Sequence, residues 1–307
     1  MRIFVTGASG WIGSAVVAEL LAAGHDVVGL ARSQASADSL ATTGADVQRG
    51  TLDDLDVLAK AAADSDGVIH LAFKHDIAFT GDYEGAAHAD RRAVETFGDA
   101  LAGSDRPFLI ASGTLGLAAG RVATEDDGRT PESTGVPSGP EMRLATAQAT
   151  LALAARGVRS SVVRLPPTCH GDGDHGFVAA LVNIARRKGV SGYIGAGTNR
   201  WPATHRLDVA HLFCVALEKA PAGSALHGVA EDGVALGDIA EVIGRHLGIP
   251  VVSIPPDEAA DHFGFLASIV AADSPASSAI TRDLLGWQPT HAGLIADLEE
   301  GHYFTAP

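Results

Sequence analysis

The stretch Thr6-Gly7-Ala8-Ser9-Gly10-Trp11-Ile12-Gly13 constrains this chain more than any other, because it follows the short apolar run Arg2–Val5 directly and opens an Ala/Leu-rich segment. Glycines at this spacing between a strand and a helix are what a dinucleotide-binding turn requires. Gly7 suits the tight turn, Gly10 lets backbone approach a pyrophosphate with no Cβ in the way, and Gly13 permits close packing of helix on strand. A helix starting at Trp11 offers unpaired N–H groups and the positive end of its dipole to an anion. Ser9, Trp11 and Ile12 share the turn and are read with the glycines as cofactor contacts.

The rest of the first half repeats the same strand–helix rhythm, which predicts a parallel sheet covered on both faces, an α/β fold. Strands are expected at Arg2–Val5, Asp26–Leu30, Ala45–Gln48, Gly67–Leu71, Phe108–Ala111 and Ser160–Arg164, and helices begin near Trp11, Gln34, Asp53, Tyr83 and Met142. The proline- and glycine-rich stretch Arg121–Pro140 reads as a long surface loop or lid. After Arg164 the alternation fails. Gly/Pro/His/Asp-rich segments at Pro166–Gly176 and Tyr193–Thr204 flank a helix at Phe177–Lys188 and suggest a second, substrate-side layer. Helix Asp208–Lys219 and strand Ala225–Val229 are expected to return to the sheet, followed by a helix at Leu236–Leu247.

A carboxylate at the end of strand two would accept hydrogen bonds from a ribose 2′-hydroxyl, but this chain has Ala31-Arg32-Ser33 there. A guanidinium beside a hydroxyl suits a 2′-phosphate, so Arg32 and Ser33 favour NADP (NADPH) over NAD. Leu52, Leu71 and Ala72, at the ends of strands three and four, complete the expected cofactor contacts.

Composition narrows the partners. Lys and Arg number 22 against 37 Asp and Glu, for a formal charge of −15, and such a field opposes nucleic acid. No apolar run approaches the roughly 18 residues of a membrane span. Two cysteines, Cys169 and Cys214, build no disulfide framework, and the amino terminus lacks a secretory pattern, so the cytoplasm is the expected compartment.

The glycine turn, Val68-Ile69-His70-Leu71-Ala72, Arg164-Leu165-Pro166, His205-Arg206-Leu207-Asp208-Val209-Ala210 and Leu285-Gly286-Trp287-x-Pro289 together resemble the extended short-chain dehydrogenase/reductase family of the epimerase/dehydratase type. The resemblance spans nearly the whole chain. It implies a Rossmann-type doubly wound parallel sheet with a smaller C-terminal substrate-binding domain, a nicotinamide cofactor, a small-molecule substrate and a homodimer. On this reading residues 1–165 form the NADP-binding domain, with 206–230 returning to the sheet, and 166–205 with 231–307 form the substrate domain. The family also carries a catalytic Ser/Thr and a Tyr-x-x-x-Lys pair. Here none of Tyr83, Tyr193 and Tyr303 has a lysine four residues on, and counting back from Arg164 puts Gly139 and Arg143 at the pair's positions. Gly113 stands where the hydroxyl is expected, between Ser112 and Thr114.

The substitute chemistry is sought among the remaining polar residues. Arg143 can hold ribose or phosphate oxygens and add positive field, but a guanidinium is a poor acid. Thr114 and Ser112 can bond a substrate oxygen. Histidine titrates nearest neutrality, which directs attention to His75, just past strand four, and to His170, which with Asp172 follows strand six. The His170–Gly176 cluster reads as a His–carboxylate relay, a structural turn or a metal site. It is no calcium loop, because Asn183 stands twelfth from Asp172, and no metal is assigned. Arg200 and Trp201 offer a clamp for a carboxylate, phosphate or ring. The leading expectation is an NADP-dependent oxidoreductase of carbonyl reductase or alcohol dehydrogenase type. The alternatives are a non-catalytic NADP-binding redox sensor and a nucleotide-cofactor-dependent epimerase or dehydratase.

Overall fold

The computed structural model describes residues 1–78, 80–129, 137–139 and 141–305. In chain order the first elements are β1 (Arg2–Thr6), α1 (Trp11–Ala22), β2 (Asp26–Ala31), α2 (Gln34–Ala41), β3 (Asp46–Arg49), α3 (Leu55–Ala63), β4 (Gly67–His70) and the single turn α4 (His75–Ala78). They continue with α5 (Tyr83–Leu101), β5 (Pro107–Gly113), α6 (Glu141–Ala152) and β6 (Arg159–Leu165). Next come β7 (Thr168–His170), α7 (Phe177–Lys188), β8 (Ser191–Ile194), β9 (Arg200–His205), α8 (Arg206–Lys219) and β10 (Ser224–His227). The last are β11 (Glu231–Ala235), α9 (Leu236–Leu247), β12 (Val251–Ile254) and the short helices α10 (Ala259–Phe263), α11 (Ala267–Ala271), α12 (Ala279–Leu285) and α13 (Leu294–Glu299).

Seven strands form one sheet in the order β10-β6-β5-β4-β1-β2-β3, every neighbouring pair parallel. This is a Rossmann-type sheet. Its strands are buried on both faces, so alternate side chains feed two separate cores. Ile3, Val5, Ile69, Leu109 and Val163 pack on one side with α1 and α8, while Phe4, Val68, Phe108 and Val162 pack on the other with α3, α5 and α6. Phe97 of α5 anchors the second core, edge-on to Phe4 at 6.1 Å and to Phe108 at 5.6 Å. The order reverses between β1 and β4, which opens a crevice at their carboxyl ends where ligands bind in open α/β sheets.

The segments after β6 contain strands that their Gly/Pro content hides. β11-β9-β7 and β12-β8 form two small sheets over a third core that includes Val178, Leu181, Trp201, Ile239, Phe263 and Leu298. They have few residues each and lean on neighbours for their burial, so no period is legible in them. The expected lid at Arg121–Pro140 also differs in its first part; residues 130–136 and 140 of it lie outside the described residues. Ala123 bridges Ala276, and the buried Glu125 carboxylate accepts from the Thr281 N–H and hydroxyl, both at 2.7 Å. Arg164 of β6, fully buried, donates to the Asp127 carbonyl at 2.6 Å. The start of that loop is therefore fastened to the sheet. No described helix is long and apolar enough to cross a membrane.

The carboxyl-terminal segment is docked by one buried carboxylate. Asp208 accepts from the Thr290 N–H at 2.9 Å and the His291 N–H at 3.1 Å and pairs with His291 Nδ1 at 2.8 Å, while Trp287 Nε1–H donates to the Asp208 carbonyl at 3.1 Å. Asp208→Ala strands the Thr290 and His291 donors and should lower the unfolding free energy by about 3 kcal/mol, read as a lower urea midpoint with an unchanged denaturant slope.

Candidate active site

At the β1–α1 turn, three backbone segments meet with no side chain between them. Gly7 has φ +67°, in the left-handed region, and a Cβ there would lie 2.8 Å from the Ala72 nitrogen on the chain leaving β4. A Cβ on Gly13 would overlap the Gly7 carbonyl oxygen, and one on Gly10 would press on the same oxygen at 3.1 Å. Gly10 starts α1 with no side-chain cap, so the first amides of the helix face outward without a partner from a capping residue. Ser9 and Gly10 are exposed, Trp11 and Ile12 half-buried. The chemistry on offer is a cradle of N–H donors for an anion.

Around the β2 edge, Arg32 extends into solvent and pairs with Asp76 at 2.8 Å. Ser33 caps α2, accepting from the Ser36 N–H at 3.1 Å. Asp53 binds Lys74 at 2.6 Å and Arg92 at 3.2 Å, and these cations hold its carboxyl below the usual carboxylate range. Leu52 is buried against the sheet, and Leu71 and Ala72 are half-buried beside Gly7.

From the turn a buried hydrogen-bonded chain crosses to α5. The Ala72 N–H donates to Thr6 Oγ1 at 3.3 Å, Thr6 Oγ1 lies 2.6 Å from His70 Nδ1, and His70 Nε2 lies 3.1 Å from Asp90 Oδ1. An ionised Asp90 accepts a hydrogen bond from Nε2–H, so Nδ1 is left as acceptor and the threonine hydroxyl donates to it. Burial alone would raise the Asp90 pKa, but the His70 hydrogen bond and the charge of Arg143, 3.9 Å away, bring it below normal. Arg143 in turn donates to the Ala111 carbonyl at 3.0 Å and lies over the Phe73 ring, 4.1 Å from its centroid.

His75 and Tyr83 flank Phe73, with ring centroids 5.1 and 5.9 Å away. Desolvation first, then the positive field of Arg143, lowers the His75 pKa against the opposing pull of Asp76 and Asp90. The half-buried Tyr83 phenol is pushed up by desolvation, with Arg143 drawing it down and Asp90 up. Ser112 is the penultimate residue of β5, and the Thr114 hydroxyl just past the strand is buried with no hydrogen-bond partner among the described residues. The structure thus gathers Arg143 and His75, and adds Tyr83, Asp90 and Phe73, which sequence reasoning passes over. A search for tyrosine by its spacing to lysine misses Tyr83, which enters from the start of α5 instead of from α6. The His70–Asp90 pair leaves a trace only as two polar residues on otherwise apolar faces.

The second layer meets the glycine turn through Trp11. Its Nε1–H donates to the Cys169 carbonyl at 2.9 Å, Arg206 stacks on its ring at 4.1 Å, and His175 meets it edge-on at 5.8 Å. Exposed Asp172 lies within electrostatic reach of Arg206. Three expectations change here. His170 is fully buried with Nδ1 2.9 Å from Asp297, so the His–carboxylate pair exists but with Asp297, and it is shut off from a substrate. Trp201 is a core residue, fully buried, its Nε1–H donating to the Ile269 carbonyl at 3.1 Å. Arg200 binds Asp273 through two nitrogens at 3.1 and 3.0 Å, at the opposite end of β9 from His205, roughly 17 Å away along an extended strand. The clamp of Arg200 and Trp201 therefore does not form. Among the described residues, the groups of side chains close enough to share a cation are His25-Cys214-Glu218 and Asp297-Glu300-His302, outside the His170–Gly176 stretch.

Comparison with known proteins follows the same lines. The family model described as "NAD dependent epimerase/dehydratase family" matches residues 3–227. An uncharacterized protein of Schizosaccharomyces pombe is 49% identical over 305 residues, covering 99% of this chain and 100% of its own. One of Saccharomyces cerevisiae is 47% identical over 304 residues, covering 98% and 99%. Among solved structures, MoeE5 in complex with UDP-glucuronic acid and NAD superposes with a TM-score of 0.73 at 24% identity, covering 97% of each chain, which shows a shared fold.

The low Asp90 pKa carries a stability consequence. A carboxyl depressed in the folded state contributes stability above its unfolded pKa and loses it as pH falls through the folded one. The stability gap between wild type and Asp90→Asn should therefore be constant near neutrality and shrink below about pH 4, measured by urea unfolding at stepped pH.

Proposed function

The chain belongs to the NAD dependent epimerase/dehydratase family, and from that premise we propose that it is an NADP-dependent oxidoreductase acting on a carbonyl or alcohol carbon of a small organic substrate. The observation that carries this reading is the side-chain-free turn at Gly7, Gly10 and Gly13, whose cradle a Cβ would fill and whose helix amides lack a cap. These residues fit a dinucleotide diphosphate. When bound, the nicotinamide supplies or takes up a hydride.

The chain's own residues divide the remaining work. The amides from Trp11 to Gly13, with Ser9, hold the diphosphate. Leu52, Leu71 and Ala72 back the nucleoside portions. Arg32 exchanges its Asp76 partner for a 2′-phosphate, with Ser33 alongside. MoeE5 binds NAD; Arg32 at the end of β2 is what favours the phosphorylated cofactor here. Arg143, held by Asp90, the Ala111 carbonyl and the face of Phe73, supplies positive field for ribose oxygens and for charge that develops on a substrate oxygen. Ser112 and the unpartnered Thr114 hydroxyl offer hydrogen bonds to that oxygen. His75, its pKa lowered, is neutral near pH 7 and accepts protons there instead of giving them. Asp172, beside Arg206, faces the substrate side.

A second reading, a redox sensor that binds NADP without turnover, is favoured by the missing Tyr-x-x-x-Lys pair. The two separate in one assay. An enzyme consumes NADPH absorbance when a suitable carbonyl compound is added, while a sensor binds the nucleotide and leaves the absorbance unchanged across the set.

Two variants test the cofactor assignment by calorimetry. Arg32→Asp should weaken NADPH by about tenfold or more and NADH by less than about threefold, and equal losses would remove Arg32 from the 2′-phosphate. Gly13→Ala, which drives a methyl into the Gly7 carbonyl, should weaken both nucleotides by at least roughly a hundredfold, or about 2.7 kcal/mol.

A further inference from the structure

We infer that Tyr83 is the catalytic acid of this site, the group that gives the proton when a carbonyl is reduced, a reading that rests on the proposed function. The family's tyrosine position holds Gly139, so a phenol must come from elsewhere. Of the three tyrosines, Tyr193 lies on β8 in the second layer, and Tyr303 is buried with its hydroxyl on Asp174 at 2.9 Å. Tyr83 alone shares the surroundings of Arg143, across the ring of Phe73 that the guanidinium covers.

Its placement is fixed from both sides. Asp82 caps α5, accepting from the Gly85 N–H at 2.8 Å, and one and two turns further along the same helix Ala86, Ala87 and Asp90 are buried against the sheet. The other titratable and charged groups facing the phenol are Arg143 from α6 and Asp90 from α5. His70 is committed at both nitrogens and shut in, and His75 is neutral near pH 7. Neither gives up a proton at the site.

A phenol that keeps its proton at neutral pH within the field of a held guanidinium is an acid waiting for a base to develop beside it. In carbonyl reduction, the substrate carbon gains a hydride, two electrons included, from the reduced dinucleotide. The C=O π pair moves to oxygen, and that oxygen takes the proton of Tyr83 Oη. The phenolate left behind is offset by Arg143 and regains a proton from solvent. The same groups serve the reverse direction, in which the phenolate takes the proton back from the alcohol.

The test needs no known substrate. Phenolate formation is followed by ultraviolet absorbance against pH in wild type, Tyr83→Phe, Arg143→Leu and Arg143→Lys, with and without saturating NADP+, and calorimetry reports nucleotide affinity. The step missing from Tyr83→Phe identifies Tyr83. Its midpoint should rise in Arg143→Leu, return in Arg143→Lys, and fall by about 0.5 or more when the positive nicotinamide ring of NADP+ is bound. A midpoint that ignores bound NADP+ overturns the inference while leaving the cofactor reading intact. Absence of any nucleotide affinity overturns the cofactor reading itself. For whichever simple aldehydes and α-diketones the wild type reduces, Tyr83→Phe should lower kcat about a hundredfold with KM within roughly threefold. An undiminished kcat also overturns the inference.

Discussion

The whole arrangement depends on how closely three pieces of backbone can approach. The Gly10–Gly13 start of α1 and the Leu71–Ala72 exit from β4 both close on Gly7, and any Cβ at Gly7 or Gly13 would occupy space already taken by carbonyl or amide atoms. That closeness aims the helix axis at the crevice between β1 and β4 and leaves its first amides bare. It also brings Ala72 within reach of the Thr6 hydroxyl, where the polar chain through His70 and Asp90 begins. The close approach of the helix start and the start of the polar chain both rest on this one turn.

The polar chain is costly to build. His70 and Asp90 are 2% and 4% exposed, and a carboxylate taken from water is tolerated only where it is paired and hydrogen-bonded. Here Asp90 has His70 on one oxygen and Arg143 near the other. The return on this arrangement is orientation: a guanidinium held between a carboxylate, a backbone carbonyl and an aromatic face cannot swing away as a lone surface arginine does. Lysine, with a point charge on a flexible stem, could not use the face of Phe73 in the same way. An arginine at this position is thus consistent with the phenol arriving from a different helix.

Much of the sheet was legible because a parallel strand buried on both faces writes itself as a short apolar run, and a crossover helix as a longer amphipathic one. Strands β1 to β6 lie within two residues of their expected ends, and Trp11, Gln34 and Tyr83 begin their helices as expected. The small sheets after β6 were hidden because strands such as Thr168–His170 and Arg200–His205 take their burial from neighbours far along the chain. Site residues divided in the same way. His75 sits just past the fourth strand, and Arg143 is reached by counting back from Arg164 on the sixth. His170 and Trp201 have the side chains of recognition residues, but whether such a side chain faces a ligand or a core is settled by what packs over it, here Asp297 and Ile269. Tyr83 was overlooked for a related reason: its partner Arg143 is sixty positions away.

The His170–Asp297 bond spans 127 residues and the Asp208–His291 pair spans 83. Strands β1 to β6, by contrast, are complete by residue 165, joined through crossovers of ordinary length. During synthesis, therefore, the amino-terminal half leaves the ribosome able to form its turn and most of its sheet, while the layer above must wait for the final helix to be translated before β7 is locked in place. A chain that loses its last dozen or so residues to a premature stop would present an open crevice with β7 unbraced, a half-finished protein that a cell's quality control would meet with its interior still exposed.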